Sequence, residues 1–285
     1  MEIIETVKDM QAYADSHRRA GRTISFVPTM GYFHEGHLDL MRLGRKLGDR
    51  LVISIYVNPT QFGPKEDLSR YPRDFERDRR MAQGVGVDAI FYPPDREMYP
   101  EGYQTYVTVE DVAANLCGRS RPGHFRGVAT VCNKLFNMVK PHVAVFGKKD
   151  FQQLAVIRRM VQDLNMDLQI EAMNTTREAD GLAMSSRNVY LSPEQRVSAL
   201  CLSRSLRLAR EMYDAGERYV PTIVDAVSSF IAGHPHTRID YVQICDTQTM
   251  KDATTLEREA VLALAVFVGT TRLIDNTVFG EPLNL

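Results

Sequence analysis

TISFVPTMGYFHEGH, residues 23–37, reads as a strand, a glycine-bearing turn and the opening of a helix. Thr23–Pro28 carries the β-branched and aromatic residues that suit a strand. From His37 to Leu47, Leu38, Met41 and Leu43 or Leu47 set an apolar helical stripe. Next comes LVISIYV, residues 51–57, a continuous apolar run of the kind buried on both faces of a sheet. Further along, the alternation repeats. A charged helix is expected over 74–83, a strand over 87–92, a helix over 128–139 stopped by Pro141, a strand over 142–146, a helix over 151–164 and a strand over 168–172. Strand and helix alternating this often imply an α/β fold, a parallel sheet covered by helices on both faces. Ligands of such sheets lie outside the carboxyl ends of the strands. The polar segments Pro28–Gly36, Asn58–Gly63 and Gly147–Asp150 are therefore expected on one rim.

The pattern changes after about Thr176. One long helix is expected over Pro193–Gly216, with Ser192 as N-cap and Pro193 in the first turn. A second helix is expected over 222–232, and strands of a small sheet over 239–244, 261–268 and 271–274. This divides the chain into a parallel-sheet domain, 1–175, and a smaller α+β domain, 176–285, expected to close over the site through the segment MSSRN, residues 184–188.

Composition limits the function. The 285 residues include 35 Lys and Arg against 36 Asp and Glu, a formal charge of -1. The cation excess of a general nucleic-acid or membrane-surface binder is absent. Cys117, Cys132, Cys201 and Cys245 are widely spaced, which argues against both a disulfide framework and a thiolate zinc site, and favours buried reduced thiols. The first residues, MEIIETVKDMQAYADSHRRAG, are amphipathic and charged, unlike a signal peptide, and no apolar run reaches membrane-spanning length. A cytoplasmic location is expected.

Five segments carry the candidate chemistry. In Thr29–His37, His34 and His37 flank Gly36 just where a helix begins. Backbone N–H groups there attract anions, imidazoles add donors, and Gly31 and Gly36 allow close approach of a ligand. The phosphate loop GxxxxGK[ST] and the dinucleotide motif GxGxxG are both missing, which disfavours ordinary kinases and dehydrogenases. A histidine-based phosphate site fits nucleotidyl transfer, with attack on the α-phosphorus and loss of pyrophosphate. Asn58 and Gln61 follow the buried strand, and Gln61 can donate and accept at once, orienting a hydroxyl or carboxylate. In Gly147–Gln153, Lys148 and Lys149 stand at a helix start, against the favourable dipole direction, which makes sense if an anion is bound. Asp150 would cap that helix, and Gln153 lies one turn in. Ser185, Ser186 and Arg187 make a phosphate clamp. His124 and Arg126 precede a helix and could reach a phosphate or carboxylate. Asp78 is a candidate Mg²⁺ ligand. For each segment a plain structural role is the competing explanation: helix capping, loop support or a solvated face.

Six strings, PTMGYFHEGH, YVNPTQF, GHFRGV, FGKKDFQQL, READGLAMSSRN and GTTRLIDN, occur in order along nearly the whole chain. Together they resemble the pantoate–β-alanine ligases, a family of the nucleotidyltransferase superfamily with the HxGH motif. The resemblance implies a Rossmann-like nucleotidyltransferase domain followed by a smaller C-terminal domain, in a homodimer. It implies ATP as co-substrate, Mg²⁺, pantoate and β-alanine as the small-molecule partners, and an AMP-forming ligation through pantoyl adenylate, with no nucleic acid or membrane partner. It places Met30, Gly31, Tyr32, Phe33, His34, Glu35, Gly36 and His37 in the ATP-binding loop, with His37 as proton donor. It places Gln61 against both pantoate and β-alanine, and Gln153 against pantoate. Gly147, Lys148, Lys149 and Asp150 fall in one ATP-contacting segment, Met184, Ser185, Ser186 and Arg187 in another, and Thr176 where the backbone meets adenine. His34, His37, Lys149, Ser185, Ser186 and Arg187 would neutralise the phosphates. Asn58, His124 and Arg126 join the substrate side.

The chain departs from the family pattern at three places. Thr60 replaces a usual Met, Lys148 a usual Glu, and Tyr32-Phe33 a usual Ala-Leu. Lys148 adds positive charge near the nucleotide, and Tyr32-Phe33 makes the pantoate side bulkier. Two rival readings remain. One is a nucleotidyltransferase making a dinucleotide or CDP-alcohol, which would carry more Arg or Lys in place of Asn58, Gln61 and Gln153. The other is a non-catalytic RNA-binding relative of the aminoacyl-tRNA synthetases, against which the neutral charge and complete motifs both speak.

Overall fold

The chain is described here as a computed structural model over residues 1–64, 66–257 and 259–284. The strands are β1 (Glu2–Ile4), β2 (Ile24–Thr29), β3 (Arg50–Ile55), β4 (Ala89–Phe91), β5 (Val143–Gly147), β6 (Gln169–Met173), β7 (Thr237–Asp246), β8 (Ala260–Val268) and β9 (Thr271–Val278). The helices are α1 (Val7–Arg19), α2 (Glu35–Leu47), α3 (Phe75–Val85), α4 (Asp95–Met98), α5 (Asp111–Ala114), α6 (Cys117–Ser120), α7 (His124–Val139), α8 (Phe151–Asp163), α9 (Pro193–Ala199), α10 (Cys201–Asp214) and α11 (Val220–Ala232).

Two compact units result: residues 1–109, 121–147 and 156–173 form the first, and residues 110–120, 148–155 and 174–285 the second. The first holds a six-stranded sheet in the order β1-β4-β3-β2-β5-β6, with every pairing parallel. From β2 the chain crosses through α2 to β3 on one side, whereas β5 pairs β2 on the other. The carboxyl ends of β2 and β5 are thus the switch point of this sheet, where α/β folds bind ligands. The segments after β2, β3 and β5 all leave the same edge, as the alternation predicts. Val27, Leu51, Ile53 and Ile90 from the strands pack with Phe33, Met41 and Ala82 in a buried core. The second unit is a three-stranded antiparallel sheet, β7-β8-β9. Its apolar face packs against α10 and α11 through Leu206, Ile223, Val227, Leu262 and Leu264.

The single helix expected over Pro193–Gly216 is two helices, with a break at Leu200. Ser198 and Ser203 on either side bond back to the carbonyls of Glu194 and Leu200, a habit that bends helices. Helix α7 begins at His124, earlier than expected, because Gly123 takes φ 83 and turns the chain into it. Strand β1, only three residues long, is too short to show alternation. Residues 110–120 and 148–155 fall in the expected first domain but pack with the second unit. Side chains tie both to it: Asn115 Nδ2 donates to the Met250 carbonyl at 3.2 Å and to Asp252 at 2.8 Å, and Asn276 donates to the Lys148 and Lys149 carbonyls. Gln152 fastens the two segments to each other, accepting from the Cys117 N–H at 3.0 Å and donating to the carbonyls of Val112 and Asn115 at 3.1 and 2.7 Å. All four cysteines are buried and unpaired.

Candidate active site

In the first unit, the turn between β2 and α2 is built from the inside out. Gly31 has φ 81 and Tyr32 has φ 52, so two successive residues are left-handed. For a tyrosine that conformation is strained. Asp78 on α3 holds it in place: its carboxylate accepts the Tyr32 N–H at 2.6 Å and the Phe33 N–H at 2.7 Å. Only 1% of Asp78 is exposed. Burial pushes its carboxyl above the usual carboxylate range, and the two N–H bonds oppose that shift. A Cβ on Gly31 would stand 3.0 Å from both an Asp78 carboxylate oxygen and Ile55 Cγ2, so the turn fits closely around the aspartate. Beside it lies a cleft of about 560 Å³, lined in part by Met30, Gly31, Tyr32, Tyr56, Arg73 and Asp78.

The turn delivers His34 as N-cap of α2, followed by Glu35, Gly36 and His37 in its first turn. The His34 N–H donates to Nδ1 of His37 at 3.3 Å, and the two rings lie 4.0 Å apart. An Nδ1 that accepts leaves the proton of a neutral imidazole on Nε2. His37 is therefore set as an Nε2–H donor at a helix N-terminus, an arrangement suited to an anion.

The second feature of this unit is the 3-10 turn Pro59–Gln61 after β3. Asn58, 1% exposed, uses its whole hydrogen-bonding capacity inside the protein. Its Nδ2 donates to Gln61 Oε1 at 3.0 Å and to the Gly127 carbonyl at 3.2 Å, and its Oδ1 accepts from Thr60 and Tyr99. Expected on the substrate side, Asn58 instead orients Gln61. Gln61 Nε2 in turn points to the Met30 sulfur at 3.3 Å. His124 supports the same turn. Its Nε2 faces Arg121, which can only donate, so Nδ1–H donates to the Gln61 carbonyl at 2.9 Å. Arg121 is itself gripped by both Glu66 oxygens, at 2.7 and 2.6 Å. Gly127 was not foreseen as a site residue. A Cβ there would come within 2.4 Å of the Thr60 carbonyl oxygen, so α7 meets this turn backbone to backbone. Arg126 is exposed and stacks on Tyr106 with its guanidinium 3.7 Å from the ring centre, and it is not joined to the Gln61 turn by any of these contacts.

In the second unit, Lys148, Lys149 and Asp150 form a 3-10 turn ahead of α8. Lys148 meets both Glu281 oxygens at 2.8 and 2.7 Å, so the charge expected to face the nucleotide is balanced within the unit. Gln153, in the first turn of α8, is partly exposed, whereas its neighbour Gln152 is buried in the bonds described above. Thr176 and Met184 close a small hairpin through a 3.0 Å bond from the Met184 N–H to the Thr176 carbonyl. Ser185 caps the 3-10 turn Ser186–Tyr190, its hydroxyl oxygen accepting the Arg187 N–H at 3.2 Å. Its hydroxyl proton is thereby turned outward from that bond. Asn188 steadies the hairpin through Glu178 and the Ala183 carbonyl.

Asp78 does not fit the Mg²⁺ role expected of it, since both its oxygens are taken by backbone N–H groups in a buried position. Among the described residues, no group of three or more His, Cys, Asp or Glu side chains could hold a metal ion. No helix among them is long and apolar enough to cross a membrane.

Residues 2–278 match the family model described as pantoate-beta-alanine ligase. A pantothenate synthetase of Syntrophus aciditrophicus is 69% identical over 285 residues, covering 100% of both chains. One of Geobacter sulfurreducens is 58% identical over 281 residues, 99% of each. Among solved structures, the pantothenate synthetase of Thermus thermophilus superposes with a TM-score of 0.92 at 44% identity, over 97% of this chain and 99% of that one. The pantoate-beta-alanine ligase of Francisella tularensis, complexed with beta-gamma ATP and beta-alanine, gives 0.82 at 30% identity over 100% of both.

Proposed function

Because the chain belongs to the pantoate–β-alanine ligase family, we propose that it condenses pantoate with β-alanine by way of a pantoyl adenylate, using ATP. A carboxylate is a poor acyl donor, and joining it to AMP supplies a good leaving group. A pantoate carboxylate oxygen attacks the α-phosphorus of ATP, and the bond to pyrophosphate breaks. The β-alanine amine then attacks the activated carbonyl, loses a proton and expels AMP.

The observation that carries this reading is the strained turn that presents His37 as an Nε2–H donor at the start of α2. Charge grows on the phosphate oxygens as pyrophosphate departs, and fixed donors aimed there stabilise it. We assign that task to His34, His37, Lys149, Ser185, Ser186 and Arg187. The backbone at Thr176 takes the adenine. Gln61 holds pantoate and receives β-alanine, and Gln153 holds pantoate, so that orientation lowers the barrier. Asn58, His124 and Gly127 act one step back, by fixing Gln61. Arg126 keeps only a supporting part on the substrate side. Mg²⁺ is assigned to the ATP phosphates rather than to Asp78, in keeping with an ion that retains most of its water.

A cytoplasmic location accords with the four unpaired thiols. For a homodimer the support is YQTYVTV, residues 103–109, which lies in no helix or strand although its composition suits one. Exposed Tyr106 and Thr108 alternate with half-buried Val107 and Val109, an edge that a second copy could pair across a two-fold axis. Light scattering of wild type and of Tyr106→Glu checks it: the variant should shift toward monomer.

The decisive experiment is exchange of labelled pyrophosphate into ATP. Exchange should require pantoate and proceed without β-alanine, and mass spectrometry should find AMP and pantothenate once the amine is added. No pantoate-dependent exchange would exclude the adenylate.

A further inference from the structure

GTTRLIDN, residues 269–276, runs into β9 and carries none of the assigned chemistry. Yet two adjacent residues at its end each grip one of the two segments assigned to ATP in the second unit. Asn276 Nδ2 donates to two successive carbonyls, Lys148 at 2.9 Å and Lys149 at 2.8 Å. Asp275 holds Arg177 through both carboxylate oxygens, at 2.7 and 2.9 Å. This ion pair is nearly sealed, with side-chain exposures of 8% for Arg177 and 1% for Asp275. Arg177 also donates to the Gly181 carbonyl at 3.1 Å, fastening the hairpin between Thr176 and Met184. Neighbouring side chains of a strand point to opposite faces, so one dipeptide can hold two segments on its two sides.

The chain beyond β9 repeats the same grip. Glu281 takes Lys148 in the first segment. Asn284 takes the second, donating to the Thr175 carbonyl at 2.7 Å while its own carbonyl accepts from Arg177 Nε. The lysine turn and the threonine hairpin are thus joined twice, by strand and by tail, across a long stretch of intervening sequence.

We propose that the Asp275–Asn276 dipeptide and the following Glu281 and Asn284 form a brace that sets the spacing between the two ATP-contacting segments, making them positioning residues for the nucleotide. The proposal rests on the assignment of Gly147–Asp150 and Thr176–Arg187 to ATP. None of the four acts by touching substrate. They act on the backbone that presents Lys149, Thr176 and Ser185, and small displacements of such groups cost much of their effect. The Lys148–Glu281 pair is the part of the brace peculiar to a chain with lysine at that place.

The test uses the full-length enzyme and reads KM for ATP and for pantoate separately, with ATP affinity from calorimetry. Glu281→Lys should raise KM for ATP about five-fold, the scale of one partly exposed ion pair, and leave KM for pantoate within about two-fold. Glu281→Gln, which keeps an acceptor for Lys148, should lose less, about two-fold. Asn276→Leu, which leaves two carbonyls without their donor, should raise KM for ATP by about ten-fold or more. If that buried variant fails to fold, the Glu281 series at the surface still decides. Glu281→Lys with unchanged ATP kinetics, equal losses for ATP and pantoate, or a larger loss in Glu281→Gln than in Glu281→Lys would overturn the brace. Wild-type enzyme that forms no AMP and pantothenate would instead overturn the functional reading beneath it.

Discussion

The turn that presents His37 and the turn that presents Lys149 are secured in opposite ways. The first is closed around a buried carboxylate, Asp78, with two short bonds to consecutive N–H groups and a left-handed tyrosine between them. The second hangs from a neutral amide, Asn276, and a partly exposed ion pair, Lys148–Glu281. A buried ion bonded on both oxygens leaves its partner almost no latitude, whereas an amide and a surface pair permit small adjustment. The contrast assigns a fixed reference to the histidines and a tunable one to the lysines.

The sharpest way to probe the first turn is at its tip. His37→Ala should lower pyrophosphate exchange about 10²–10³-fold with only a small fall in the urea unfolding midpoint, because the Nε2–H donor is lost together with one long capping bond from the His34 N–H. Near-normal exchange would remove His37 from the mechanism. Asp78→Ala should couple the two losses that His37→Ala separates. It orphans two buried N–H groups and frees a strained tyrosine, so a fall of roughly 10²-fold in kcat/KM should accompany a stability loss of about 3 kcal/mol. Magnesium titration sharpens this: the loss in Asp78→Ala should not be recovered at high Mg²⁺, as it would be if the residue were a metal ligand. Smallest is Gly127→Ala, where a methyl group meets the Thr60 carbonyl. A stability loss of roughly 1–3 kcal/mol is expected, with KM for pantoate rising more than KM for ATP. A variant that leaves pantoate use untouched would separate Gln61 from the pantoate site.

Much of this was readable in advance for a definite reason. Buried parallel strands such as LVISIYV announce themselves by uninterrupted apolar composition, and a parallel sheet sends every following segment to one edge. The histidine turn, the Gln61 turn and the lysine turn could therefore be placed before any coordinates. What stayed hidden depends on which of several similar side chains turns inward. Gln152 and Gln153 are adjacent and chemically identical, yet helical phase buries one to tie backbone to backbone and leaves the other accessible. Asp78 looks like any acidic residue on a charged helix, and only the close approach of Gly31 makes it a clamp. The sorting of residues 110–120 and 148–155 into the second unit escaped for a similar cause, since it rests on side-chain bonds across the sequence. The helix break at Leu200 is invisible to apolar periodicity, which runs on through it.

Tyr32 has one more consequence. A residue with a Cβ gives up about 1 kcal/mol or more to remain left-handed, so the turn is held under tension. Once the clamp lets go, the chain has every incentive to spring to an ordinary conformation, and little reason to linger halfway. The loop should behave as a latch that is either shut or released, and the imidazole it carries should be found in register or absent from it, with no gradual drift between.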